Sequence, residues 1–297
     1  MKKIELKKIL VPVDFTETSD IAMLEAISLA NRLNAQVFLI HVLEYNSYRY
    51  SVARELETQV PSLEELEAAV REKMNKIVVA NKSESGMIPG INVVSGEVPS
   101  EIIRFAGEKK IDLIVMGTHG ASGYKEMFIG SNAQRVVTLS EIPVLTLLKK
   151  IDESGFKNIL LPIDNSLHSR EKVSMAMLVA ELFNAKIHVL GLPDSEDKTV
   201  LNKFQVKVKS VEKIISESKL SHSTTIVQGK SLAKAAIDYA ENNLCDLIVI
   251  NTGHESEVTG IFLGAFHQQI VNHTKIPVLS MKHTPDHYSV DTPGFGI

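Results

Sequence analysis

The hydrophobic residues of this chain gather in short runs that are rich in β-branched side chains and nearly free of polar alternation. The clearest runs cover 9–13, 37–42, 112–116 and 143–148, and weaker ones cover 91–95 and 223–228. Continuous apolar runs of this length are typical of strands that are buried on both faces of a parallel sheet. The pattern therefore predicts buried parallel strands.

Segments with helical periodicity lie between these runs. One segment has a polar stripe at Glu25, Ser28 and Arg32. Two others carry apolar stripes, which consist of Leu63, Leu66, Val70, Met74 and Ile77 in the first and of Phe204, Val208, Val211 and Ile215 in the second. Ser62 and Glu65 have the spacing of a capping box, which predicts that a long helix begins there. Helices are therefore expected to alternate with the strands.

The first half of the chain returns in the second half. Segments 8–14 and 34–38 recur 150 residues later, whereas segments 112–116 and 142–145 recur 134 residues later, so the second copy is shorter in its middle. A fixed offset between similar segments indicates a duplicated structural unit. We expect a domain at 1–150, a second domain at 151–283 and a flexible tail at 284–297.

Each copy has the predicted element order β-α-β-α-β-α-β-α-β. Right-handed crossovers between parallel strands leave few arrangements, and a doubly wound five-stranded sheet is the commonest for this number of elements. The expected fold class is α/β, with two Rossmann-like, doubly wound, five-stranded parallel sheets in tandem. The last strand of each copy, at 142–148 and 276–282, would leave an open edge unless it is paired or covered.

The composition limits which classes of protein and which cellular compartments fit these domains. Of the 297 residues, 44% are hydrophobic and the formal net charge is −4, so neither a nucleic-acid interface nor a chain without a core is expected. Cys245 is the only cysteine, which excludes a disulfide within one chain and fits a reducing compartment. No apolar run approaches the ~18 residues of a membrane span. We therefore expect a cytoplasmic protein that does not enter a membrane.

The turn after the fourth strand carries the clearest candidate chemistry. Gly117-Thr118-His119-Gly120 is followed by nine residues and then by Gly130-Ser131-Asn132 at the start of an amphipathic helix. Glycines let backbone N–H groups approach an anion, and the first turn of a helix adds unpaired donors and the positive end of its dipole. By themselves, three glycines in a loop of this size are equally compatible with an ordinary loop.

The spacing Gly-x2-Gly-x9-Gly-Ser resembles the nucleotide loop of the ATP-binding branch of the universal stress protein (UspA-like) family, whose fold resembles that of the adenine nucleotide alpha hydrolases. Gly117, Gly120, Gly130 and Ser131 match every fixed position. The strand sequences at 9–14, 112–117 and 142–145 are similar to those of the same family. The resemblance covers 1–283.

This resemblance implies a nucleotide site in the first copy. Asp14 would lie near the ribose and adenine, Pro12 and Val13 would line the pocket, and Val42 would offer main-chain groups to adenine. The remaining residues would wrap the ribose and phosphates, namely Met116, Gly117, His119, Gly120, Gly130, Ser131 and Asn132. His119 is more readily a solvated loop residue than a catalyst, so no catalytic residue is assigned.

The second copy departs from this pattern. Three positions of the motif are replaced: Gly117 by Asn251, Gly120 by His254 and Ser131 by Ala265. Gly264 aligns with Gly130, and Phe266 aligns with Asn132. Side chains at the first two positions would crowd the phosphates, so no tight nucleotide site is expected there. Asp164 is retained, and we interpret it as a turn or helix cap.

Three functions stay open: a nucleotide-responsive regulator of the stress response, a slow ATPase or autophosphorylating protein, and a ligand-free dimerisation scaffold. ATP, ADP and AMP, with or without Mg²⁺, stay open as ligands. The chain has no P-loop, no early dinucleotide-binding turn and no Ser-Gly-Gly loop of adenylating enzymes after the first strand. The resemblance also implies that the two copies pair as a pseudo-dimer within the chain, with a homodimer and an unidentified protein partner as further expectations.

Overall fold

The computed structural model describes residues 4–45, 61–81, 88–118, 129–166, 168–229, 231–252 and 265–282. The described residues from 6 to 150 form one compact unit, and those from 151 onward form another. Each unit alternates strands and helices, as the hydrophobic pattern predicts.

The first unit contains five strands and four helices. The strands are β1 Lys8–Pro12, β2 Gln36–Leu43, β3 Gly90–Ser95, β4 Leu113–Gly117 and β5 Val144–Leu147. The helices are α1 Glu17–Leu33, α2 Leu63–Ala80, α3 Val98–Lys109 and α4 Ser131–Leu139. All paired strands are parallel, in the order β3-β2-β1-β4-β5. The chain reverses its direction of winding between β1 and β4, which is where doubly wound sheets bind ligands.

The second unit repeats this order. Its strands are β6 Asn158–Ile163, β7 Lys186–Gly191, β8 His222–Ile226, β9 Leu247–Asn251 and β10 Val278–Met281. Its helices are α5 Val173–Phe183, α6 Lys198–Glu217, α7 Leu232–Asn242 and α8 Ala265–His273. The parallel strand order is β8-β7-β6-β9-β10. The predicted fold class, two doubly wound five-stranded parallel sheets in tandem, is therefore confirmed.

The central strands are buried on both faces, which explains their continuous apolar sequence. Ile9, Leu10 and Val11 of β1 are fully buried, and so are Leu247 and Ile248 of β9. The edge strands β3 and β8 are mostly half-buried, and this is why their sequences gave the weakest patterns. None of the described helices combines the length and the apolar character that a membrane crossing requires.

Helix starts follow the local sequence closely. The predicted capping box is present, because Glu65 Oε2 accepts from the Ser62 amide at 2.8 Å and Ser62 Oγ accepts from the Glu65 amide at 3.2 Å. Side chains also cap four other described helices, through Thr16, Glu97, Asp197 and Ser231. Neither α4 nor α5 has a side-chain cap. The uncapped helix α4 begins at the carboxyl-end edge of its sheet, where this fold class binds ligands.

Candidate functional site

A cavity of about 410 Å³ opens at the carboxyl ends of β1, β2 and β4 in the first unit. Five pieces of chain line it: the turn from β1 into α1, the end of β2, the start of α3, the end of β4 and the first turn of α4. Because β1 and β4 flank the switch point of the sheet, the cavity occupies the position where this fold class binds ligands.

The structure brings together nine of the eleven predicted site residues around this cavity: Pro12, Val13, Asp14, Val42, Met116, Gly117, Gly130, Ser131 and Asn132. The other two, His119 and Gly120, lie outside the described residues. That these residues contact a ligand stays a prediction.

Asp14 organises the turn that leads from β1 into α1. Its Oδ1 accepts hydrogen bonds from the Thr16 amide at 3.0 Å and from Thr16 Oγ1 at 2.5 Å. Thr16 in turn caps α1 by accepting from the Ser19 amide. Asp14 therefore has a structural role at Oδ1, whereas its Oδ2 has no hydrogen-bond partner among the described residues.

Gly117 is needed for packing as well as for an open cavity wall. A Cβ at this position would lie 2.8 Å from the carbonyl carbon, Cβ and Oγ1 of Thr18, distances that real Cβ atoms essentially never show. The sequence suggested that Gly117 serves the approach of an anion. The structure adds a second reason, which is the close contact between β4 and the first turn of α1.

The first turn of α4 lines the cavity. The Gly130 amide itself is not free, because it donates to the Thr118 carbonyl at 2.6 Å. Gly130 has φ −60° and ψ 149°, and no side chain caps the helix. Among the described residues, the amides of Ser131, Asn132 and Ala133 have no acceptor, and they lie at the positive end of the helix dipole.

Comparison with known proteins identifies the family of this chain. The sequence pattern of the Universal stress protein family matches residues 5–147 and 155–282. The chain belongs to the universal stress protein family. The match covers both copies, so the chain is a tandem member with two family domains.

Individual relatives agree with this assignment. Two universal stress proteins of Methanocaldococcus jannaschii are 33% identical over 143 residues and 30% identical over 156 residues, and each alignment covers 48% of this chain and 82% or 96% of the relative. A Synechocystis universal stress protein is 19% identical over 297 residues, covering 93% of this chain and 100% of that protein. The crystal structure of a universal stress protein from Archaeoglobus fulgidus has a TM-score of 0.73 at 19% identity and covers 96% of this chain and 99% of that chain, which supports the fold.

Sequence reasoning missed several residues that line the cavity of the first universal stress protein domain. They are Ser19, Ile40, His41, Glu44, Val98, Ile102, Thr118 and Ala133. His41 is the most informative of them, because it adds a titratable ring beside Val42 on β2. A signal was present in the sequence, since a histidine interrupts an otherwise apolar strand that ends at the sheet edge where ligands bind.

The second universal stress protein domain carries larger side chains than the first at three positions of the repeat. At the repeat offsets of 150 and 134 residues, Lys172 stands where Ala22 does, Asn251 where Gly117 does and His267 where Ala133 does. All three larger side chains are buried. The Asn251 side-chain amide donates to the carbonyl of His168, which occupies the position of Thr18. The first helical turn of α1 contains Thr18, whereas the described residues at 168–172 form turns and α5 starts only at Val173.

Burial shifts the pKa values of two of these side chains, Lys172 and His267. Burial lowers the pKa of Lys172 to about 8, although the charge of Asp164 opposes the shift. Burial also lowers the pKa of His267 to about 4, and Lys172 adds to this shift. Nδ1 of His267 and Oδ1 of Asn251 are buried with no hydrogen-bond partner among the described residues.

Asp164 acts as a turn cap, as interpreted from the sequence. Its Oδ1 accepts from the Ser166 amide at 3.0 Å and from Ser166 Oγ at 2.6 Å. Burial acts to raise the pKa of Asp164, but Lys172 and the Ser166 and Ser169 hydroxyls outweigh it and lower that pKa. The Lys207 ammonium closes the turn by donating to the carbonyls of Asp164, Asn165 and Ser166 at 2.9–3.2 Å.

Proposed function

We propose that the first domain binds an adenine nucleotide and that the protein acts as a nucleotide-responsive regulator of the stress response. The observation that carries this proposal is the cavity of about 410 Å³, which gathers nine of the predicted site residues at the switch point of the sheet. The match of the glycine-rich loop to the ATP-binding branch of the family supports adenine nucleotides as the ligand class.

The phosphates would lie at the start of α4. This helix has no side-chain cap, so its first-turn amides and the Ser131 hydroxyl are available as donors. The positive end of the helix dipole favours an anion at the same place. By contrast, the other two helices that line the cavity, α1 and α3, already have side-chain caps, which are Thr16 and Glu97.

The nucleoside would lie toward β1 and β2. Apolar side chains of Val13, Ile40, Val42 and Met116 line this part of the cavity and suit the faces of a flat base. The free carboxylate oxygen of Asp14 suits a ribose hydroxyl or an amino group, because an ionised carboxylate only accepts hydrogen bonds.

The second domain would not bind nucleotide tightly. Lys172, Asn251 and His267 occupy positions that are small residues in the first domain, and each of these side chains is buried. We therefore propose one nucleotide per chain. The cytoplasm is the proposed location, and a homodimer and a protein partner that senses the bound nucleotide are further parts of the proposal.

The experiment is to purify the protein without added nucleotide, denature it and quantify the released small molecules by ion-pair chromatography. Wild type and Ala265→Ser should release about one adenine nucleotide per chain, whereas Gly130→Val should release none. Ala265→Ser is the matched control, because it restores in the second domain the residue type found at Ser131. If wild type releases nothing and also fails to bind added ATP with Mg²⁺, the nucleotide proposal is wrong and the scaffold function remains.

A further inference from the structure

An ion pair joins α3 to α4 in the first domain. Nη1 of Arg135 on α4 donates to Oε1 of Glu97, which is the residue immediately before α3. The two helices also pack against each other, and the first residues of both line the cavity. Neither Glu97 nor Arg135 lines the cavity itself. The ion pair therefore connects two walls of the cavity without being part of its lining.

Glu97 is firmly anchored. Its other carboxylate oxygen, Oε2, caps α3 by accepting from the Ser100 amide at 3.2 Å, and it also accepts from the Ser100 hydroxyl. The preceding residue, Gly96, donates its amide to the carbonyl of Leu43 at the end of β2, at 3.1 Å. These bonds fix Glu97 relative to the sheet, so Arg135 has an acceptor in a fixed position.

Arg135 lies close to the amides that the proposed nucleotide site uses. Ser131 is four residues earlier on α4, and this helix has no side-chain cap of its own. Because residues four apart lie on the same face of a helix, the ion pair restrains the face of α4 that carries Ser131. Donors that are held in position before a ligand arrives bind it more tightly, since less freedom is lost on binding.

The second domain keeps the cap but lacks the ion pair. At the repeat offset of 134 residues, Ser231 stands where Glu97 does and Gln269 where Arg135 does. Ser231 caps α7 by accepting from the Lys234 amide at 3.4 Å. A cap at this position thus requires neither a glutamate nor an arginine partner. The charged pair is a feature of the first domain, which carries the proposed nucleotide site.

We propose that Arg135 is a positioning residue for phosphate binding: through its ion pair with Glu97, it holds the first turn of α4 in place for the phosphates of the nucleotide. This inference rests on the nucleotide site proposed above. It concerns the phosphates alone, because the nucleoside would lie toward β1 and β2. The side chains of Arg135 and Glu97 are 53% and 43% exposed, so the effect of the pair is modest, about fivefold in affinity.

The test compares the dissociation constants of ATP and adenosine by calorimetric titration of the full-length protein. Arg135→Gln and Glu97→Gln each remove the ion pair, and glutamine at position 97 can still cap α3 through its side-chain oxygen. Each variant should bind ATP about fivefold more weakly than wild type and bind adenosine equally well. The double variant should be no weaker than either single variant, because the two residues act through one bond.

Two further variants serve as controls. Arg135→Lys should bind ATP nearly as well as wild type, since the pair uses a single N–H···O contact that an ammonium can also make. Arg104→Gln is the matched control, because Arg104 is 49% exposed and its ion pairs are with Glu101 and Glu108 within α3. Arg104→Gln should change neither dissociation constant.

The sign of the Glu97→Gln effect separates positioning from a simple effect of charge. If Arg135 acted only through its charge, removal of the neighbouring carboxylate would tighten ATP binding, and that result overturns the role of Arg135 as a positioning residue. Unchanged ATP binding in Arg135→Gln overturns it as well, and so does an equal weakening of ATP and adenosine. In these three cases the nucleotide site itself stands. If wild type binds neither ATP nor adenosine, the proposed function fails and this inference fails with it.

Discussion

Gly117 and Thr18 approach each other so closely that a Cβ on the glycine would lie 2.8 Å from three atoms of the threonine, including its carbonyl carbon. This contact joins the end of β4 to the first turn of α1 and so closes one wall of the cavity. In the second domain the same pair is Asn251 and His168, joined by a hydrogen bond from the Asn251 side chain. At this pair of positions the first domain has a close approach of glycine to threonine, and the second has a hydrogen bond from an asparagine side chain.

Gly117→Ala should destabilise the protein. Part of the clash is with backbone, which cannot simply rotate away, so we expect a loss of about 1–3 kcal/mol in the free energy of unfolding. Gly107→Ala is the matched control, because a Cβ there meets nothing within 4 Å. Gly107 lies in α3, and alanine there should stabilise by about 0.5 kcal/mol. Urea denaturation measures both, and equal effects of the two substitutions would contradict the packing role of Gly117.

Lys172 should make stability rise with pH in the alkaline range. Its pKa is lowered to about 8 in the folded chain from an ordinary value of 10.5. Between these values the unfolded chain binds more protons, so unfolding becomes harder as pH rises, whereas below pH 8 the full penalty persists. The penalty is about 3 kcal/mol, most of which is relieved by pH 10.5.

The measurement is the free energy of unfolding at pH 7.5 and pH 9.5. The rise in wild type should exceed that in Lys172→Met by about 2 kcal/mol. Lys213→Met is the control, since Lys213 is an exposed lysine on α6 and its removal should leave the rise in place. An equal rise in wild type and Lys172→Met would contradict the lowered pKa of Lys172.

His267 should weaken the fold in acid. Burial lowers its pKa to about 4 from an ordinary value of 6.5, so the unfolded chain takes up a proton that the folded chain refuses between these values. Its contribution to stability is present above pH 6.5 and is lost, to the extent of about 3 kcal/mol, as the pH falls to 4. His267→Gln should lose less stability than wild type between pH 7 and pH 4.5 in urea denaturation, and His222→Gln should behave like wild type. An equal loss in all three proteins would contradict this account.

Cys245 should be an unreactive thiol in the folded protein. It is 6% exposed, and burial together with the charge of Asp246 raises its pKa to about 12. The thiolate is the reactive form, and a shift from 9.0 to about 12 lowers its fraction roughly 1,000-fold near neutral pH. Titration with a chromogenic disulfide should show almost no reaction in buffer and one thiol per chain in urea. Rapid native labelling would contradict the burial of this residue.

Much of the fold follows from the sequence alone, because central parallel strands need apolar residues on both faces. The runs at 9–13 and 112–116 correspond to β1 and β4 within one residue at each end. The edge strand β3 was harder to predict, since it is mostly half-buried and needs no such continuity. The capping box at Ser62 was predictable because both of its hydrogen bonds are local.

The site was predictable only in part, since its polar contacts cross between elements. The glycine spacing and Asp14 are local signals, but the bond from His41 to the Val13 carbonyl joins neighbouring strands that are distant in sequence. The hydrogen bond from the Asn251 side chain to the carbonyl of His168 was also hidden, because the two residues are 83 positions apart. Pairwise contacts of this kind leave no periodic pattern in a single sequence.

Calorimetric titration with ATP and Mg²⁺ tests the central claim most directly, because it counts sites and measures affinity in one experiment. The wild-type protein should bind one ATP per chain, and Gly130→Val should bind none while it keeps the wild-type unfolding transition. A stoichiometry of two per chain would show that the second domain binds nucleotide despite Lys172, Asn251 and His267. Binding that persists unchanged in Gly130→Val would place the ligand elsewhere and contradict the site at the start of α4.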